Sequence, residues 1–122
     1  MLDRKLVGKR VKILRETKQV LHKLSQQRGP KGLARRDMSE LERYNKWLSN
    51  SCKEIEKLSN QGEELLKQTK VTEEVLKMQQ SFNLQYLQLQ QDMQQQNRQF
   101  TLVSNIMKVK HDTAKNAINN VR

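Results

Sequence analysis

From Glu63 to Arg122 the chain contains neither glycine nor proline, and along that stretch large apolar residues return at intervals of three and four. Glycine and proline are the residues that most effectively interrupt a helix. Apolar residues at this spacing fall on one helical face. A chain with both properties has little choice but helix. Continued without a break, a helix of close to 60 residues would run roughly 90 Å at 1.5 Å per residue.

The face in question is Val71, Val75, Met78, Phe82, Tyr86, Leu89, Met93, Gln96, Phe100, Val103, Met107, Lys110, Ala114, Ala117 and Val121. Two successive steps of four around Phe82 and Tyr86 form a stutter, which locally unwinds a left-handed supercoil. An earlier face, Leu41, Tyr44, Leu48, Ser51, Ile55, Leu58, Gly62 and Leu65, has the same alternation with two weak positions, Ser51 and Gly62. Only 34% of the residues are apolar and 4% aromatic, too few for a thick globular core. The expected fold class is therefore all-α, built from elongated helices with coiled-coil seams.

Breaks between helices are legible from local chemistry. Leu6-Val7, Ile13-Leu14 and Val20-Leu21 repeat every seven residues, predicting a basic amphipathic helix over 1–27. Pro30, flanked by Gly29 and Gly32, ends it and makes 28–38 a flexible basic linker. Ser39 with Glu42 three residues on has the capping-box spacing and predicts the next helix start, opening a coiled-coil region over 39–122. Within that region Asn60 and Gly62 offer a cap and a terminator. They predict a helical hairpin or bent rod turning near 59–63, with one continuous rod as the alternative.

Charge separates the segments. Residues 1–36 carry 12 Lys and Arg against 2 Asp and Glu, or +10; residues 37–80 carry 7 against 9, or −2; residues 81–122 carry 5 against 2, or +3. An acidic partner would therefore meet the first segment, where Arg4, Lys5, Lys9, Lys12, Arg15, Lys18 and Lys23 lie opposite the apolar side. Three readings follow: a solvated face packed on the rest of the chain, a phosphate-binding surface for nucleic acid, or a membrane-surface helix. The five aromatics all lie outside this segment. That removes stacking on single strands and the Trp or Phe that reinforces membrane insertion, while phosphate neutralisation needs only Lys and Arg.

Between Gln79 and Gln99 the composition changes again: ten Gln, with Asp92 and Arg98 as the only charges. A low-complexity solvated face is one reading. The apolar period persists, however, and Leu84 and Leu87 stand off the main seam, so a helix contacted on more than one side is the other. Amides donate and accept across an interface, whereas buried charges cost several kcal/mol each. Together with small seam residues near the end, this uncharged middle is loosely similar to subunits of bacterial helical needles and filaments, though no specific motif carries the comparison.

Chemistry is thinly represented. His22 and His111 are isolated, no HxxxH or CxxC spacing occurs, and GPKG is too short for a phosphate loop. No cofactor, metal or catalytic residue is expected. The single Cys52 excludes an intrachain disulfide. The start MLDRKLVGKR has no apolar core, and no run of 18 apolar residues occurs, so neither a cleaved signal nor a transmembrane helix is expected and a cytoplasmic location is the default, with export by a non-cleaving route as the exception.

The function expected is non-enzymatic: a helical assembly or adaptor protein that self-associates or binds a partner helix. Its interface residues would be Leu41, Tyr44, Leu48, Ile55, Leu58, Phe82, Tyr86, Leu89, Met93, Phe100, Val103, Met107 and Ala114. A second chain is expected to cover the long stripe, because a second helix ending near 59 is too short to do so. The alternatives are a subunit of an exported needle or filament and a nucleic-acid-binding protein using the basic segment.

Overall fold

The structure is a computed structural model that describes residues 1–27 and 29–107. It is all-α: the described residues form α1 (Arg4–Ser25), α2 (Arg35–Lys67), α3 (Glu73–Gln95) and α4 (Asn97–Met107), with no strand among them. The carboxylate of Asp3 accepts the Leu6 amide at 3.0 Å and caps α1, which stops at Ser25 ahead of Pro30. Gly32 then takes φ 78°, a left-handed conformation that side-chain-bearing residues avoid.

Two expected boundaries are corrected. The second helix begins at Arg35, inside the stretch expected as linker, with Ala34 at the cap position and no side-chain cap bond; Ser39 lies a turn inside the helix. The turn expected near 59–63 is absent, because α2 runs through Asn60 and Gly62 without a break and ends at Lys67. Gly62 is buried here for space. A Cβ at this position would collide with Val11 Cγ2 and come within 2.8 Å of Phe82 Cε2. The reversal falls instead at 68–72, where Gln68 turns extended and the Thr72 hydroxyl accepts the Val75 amide at 3.2 Å, with Glu73 and Glu74 in the first turn complementing the helix dipole.

The expected 60-residue helix is interrupted twice within the described residues, by the reversal at 68–72 and at Gln96. The backbone bonds Gln96 N to Asp92 O (3.1 Å) and Phe100 N to Gln96 O (2.8 Å) carry across the junction, so α4 continues α3. Lys110, Ala114, Ala117 and Val121 lie outside the described residues.

Pairings fix the topology. Arg4 donates to the Leu66 and Gln68 carbonyls near the end of α2, while Lys18 meets Glu56 further back, so α1 and α2 are antiparallel. Gln85 donates to Gln61 at 3.2 Å and Gln99 to Glu40 at 2.7 Å, so α3 and α4 return antiparallel along α2. Arg10 donates to Asn83 Oδ1 at 2.8 Å and sits 4.6 Å from the centre of the Tyr86 ring, which brings α3 alongside the first half of α1.

The core lies between these helices. Val7, Val11, Leu14, Leu21 and Leu24 from α1, the α2 seam from Tyr44 to Leu65, and Val75, Phe82, Tyr86, Leu89, Met93, Phe100, Val103 and Met107 are buried in one cluster. From Val75 to Met107 the stripe is therefore covered by its own chain apart from Met78, and burying that part needs no second copy. The displaced turn is the reason. With 33 residues, α2 extends about 50 Å, close to the length of α3 and α4 together. Burying each large apolar side chain contributes roughly 1.5–3 kcal/mol. Val71 is 49% exposed, so the buried stripe starts at Val75, and Met78, 39% exposed, is a gap in it.

Candidate functional site

The residues expected at an interface are, as far as they are described, packed inside the chain, and a different, outer set faces solvent. Tyr44, Leu48, Ile55, Leu58, Phe82, Tyr86, Leu89, Met93, Phe100, Val103 and Met107 are inner, and Leu41 is packed against them half-buried. Tyr44 approaches Phe100 with ring centroids 6.5 Å apart and Trp47 at 5.4 Å. Burial without a hydrogen-bond partner among the described residues pushes the Tyr44 phenol well above its usual range. Tyr86 is raised by the same desolvation, partly offset by Arg10. These groups hold the bundle together and offer nothing to a ligand.

The outer set lies on the opposite side of α3. Counting from the buried Phe82, Tyr86, Leu89 and Met93, the half-turn away is occupied by Gln80, Leu84, Leu87, Gln88, Gln91, Gln94 and Gln95, all exposed and none charged. Asp92, the one charge from Met78 to Asn97, is turned inward and accepts from Trp47 Nε1 at 3.0 Å. Leu84 and Leu87 are 58% and 47% exposed, and Leu102 on α4 is 44% exposed. Leu102 follows Leu84 by eighteen residues, about five whole turns, which is the sequence signal that could have added it to the off-seam leucines.

Beside this face α2 and α3 leave a groove of about 550 Å3, bordered by Trp47, Asn50, Glu54, Lys57, Gln85 and Gln88. Cys52 is half-buried; desolvation raises its thiol, with Lys18 opposing, so the less reactive protonated form is favoured. Among the described residues, no group of three or more His, Cys, Asp and Glu is placed to hold a metal, and no helix is long and apolar enough to cross a membrane.

The seven basic residues of α1 expected to meet an acidic partner divide. Arg4 is bonded to the end of α2, Arg15 pairs with Glu63 at 2.5 Å and Lys18 with Glu56 at 3.0 Å. All are solvent-touched pairs of small energetic weight. Lys5, Lys9, Lys12 and Lys23 are exposed and have no ion pair among the described residues. No protein-family model, curated protein or solved structure matches this chain.

Proposed function

We propose that the protein is a non-enzymatic helical assembly or adaptor protein, and that it associates with a second copy of itself through the outer face of α3 and α4. The observation that carries this is the strip from Gln80 to Gln95, uncharged and bearing the exposed Leu84 and Leu87, in a chain of net charge +11; Arg98 is the one charge between it and the exposed Leu102. Two such chains repel wherever lysine meets lysine. A strip of glutamine and leucine is where they approach without that repulsion, and its amides can donate to and accept from an identical strip. The partner helix of the earlier expectation thus meets this outer face, and the inner seam stays with the chain's own helices.

Absolute mass by light scattering at several concentrations tests the proposal. The wild type is expected to grow heavier with concentration, and Leu84→Glu/Leu87→Glu to remain at monomer mass with unchanged helical signal, since both positions are solvent-exposed. A wild type that stays monomeric throughout the tens-of-micromolar range, or a double variant that assembles equally well, would refute it. The second reading, a subunit of an exported needle or filament, is favoured by the α2–α3 groove lying next to the strip. Two different neighbouring patches permit a head-to-tail contact that does not close on itself. Mass that rises without a plateau would select it over a closed dimer.

A further inference from the structure

Beyond self-association, we infer that the solvent face of α1 around Gly8 is a docking surface for the phosphodiester backbone of nucleic acid. The first observation is placement. Lys5, Lys9, Lys12, Glu16, Gln19 and Lys23 recur at alternating steps of four and three, so they form one straight exposed stripe about 27 Å long at 1.5 Å per residue. Four of its six positions are ammonium groups without an ion pair among the described residues, while the neighbouring Arg4, Arg15 and Lys18 are engaged with α2.

The stripe also works against the helix that carries it. Lys5 and Lys9 are a like-charge pair one turn apart, as are Lys9 and Lys12, and the Asp3 carboxylate at the N-cap is the acidic group that complements the dipole at the helix start. Each like-charge pair costs a helix a few tenths of a kcal/mol. Local rules broken without a gain in packing point to a role outside the fold.

Gly8 is the second, independent observation. It sits in the helix interior, where glycine is poorer than alanine, and nothing lies within 4 Å of where a Cβ would project. Unlike Gly62, it relieves no crowding inside the chain. Its neighbours one turn either way are Arg4, Lys5 and Lys12. A bare patch of backbone ringed by cations lets a discrete anionic group sit close to the helix between the lysine stems. Exposed large hydrophobics are absent from α1 itself, so an inserted membrane helix has no anchor here. A phosphodiester strand fits both the line of charge and the gap.

The experiment uses the full chain and a labelled mixed-sequence 20-base-pair duplex, titrated by fluorescence anisotropy across a salt series. Wild type is expected to bind in the ~1–100 μM range near physiological salt, more tightly at low salt, and to weaken steeply as salt rises. Lys9→Gln/Lys12→Gln should bind roughly tenfold more weakly and flatten the salt slope by about 2. Gly8→Gln, which keeps the charge and is a better helix former, should also bind roughly tenfold more weakly while unfolding at a higher temperature. Lys46→Gln/Lys53→Gln on α2 removes the same net charge elsewhere and should bind nearly as wild type. The inference is overturned by no wild-type binding at low salt, by a control as weak as Lys9→Gln/Lys12→Gln, or by Gly8→Gln binding as tightly as wild type. Tighter binding to phosphatidylserine vesicles than to the duplex would overturn it in favour of a lipid surface. Each result is independent of the mass measured for Leu84→Glu/Leu87→Glu, so the two readings can fail separately.

Discussion

The same substitution made at two glycines of this chain should have opposite signs. Gly8→Ala and Gly62→Ala each replace a helical glycine with the best helix former, worth about 0.8–1.0 kcal/mol in either place. At Gly8 the new methyl meets nothing within 4 Å, so the whole gain should appear as stability. At Gly62 it collides with Val11 Cγ2 and stands 2.8 Å and 3.1 Å from two carbons of the Phe82 ring. Neither neighbour yields easily: Val11 is β-branched with one preferred helical rotamer, and the Phe82 ring is fully buried. Overpacking of this kind costs typically 1–3 kcal/mol. Because a clash with two immobile groups belongs at the upper end of that range, Gly62→Ala should be net destabilising by about 1–2 kcal/mol. Urea denaturation followed by far-ultraviolet circular dichroism measures both. The midpoint should move up for Gly8→Ala and down for Gly62→Ala, with unchanged m-values. If Gly62→Ala is stabilised as much as Gly8→Ala, the three helices do not meet at Gly62 and the packing described above is wrong.

Tyr44 supplies a pH-dependent test. Its folded pKa is raised by desolvation above the usual value near 10, so above that pH the unfolded chain releases a proton that the folded chain retains. Stability is then lost as pH rises past 10, by up to ~1.4 kcal/mol per unit for this group. Tyr44→Phe should abolish that share of the alkaline loss and, by removing a buried hydroxyl without a partner among the described residues, should be no less stable at neutral pH; equal alkaline losses in both proteins would contradict the buried placement. Phe100→Asp addresses the seam: Phe100 is 3% exposed against Tyr44, so the charge should release α4 from α2 and reduce helical signal within a single chain. A variant that keeps full helicity and only drops in mass would return the seam to an interface between chains.

Residue spacing alone determined that these residues form helices and which side of each is apolar. The α2 seam from Tyr44 to Leu65 and the later one from Phe82 to Met107 are buried where their three-and-four alternation puts them. The free lysines and the off-seam Leu84 and Leu87 were equally legible, because exposure on a helix follows from angular position relative to the buried residues. What no local pattern could supply was the partner of each face. Gly62 has the composition of a terminator, and only the approach of Val11 and Phe82 from two other helices turns it into a packing site inside α2. That single change moves the reversal to 68–72, lengthens α2 until it matches α3 and α4, and lets one chain cover the stripe that spacing alone assigns to two. Likewise Arg15 and Lys18 look the same as Lys9 and Lys12 in the sequence, and differ because Glu63 and Glu56 lie across from the first pair alone. Periodicity is a property of neighbours along the chain, whereas crowding and ion pairing are set by residues about twenty to fifty positions away, which only the tertiary structure brings together.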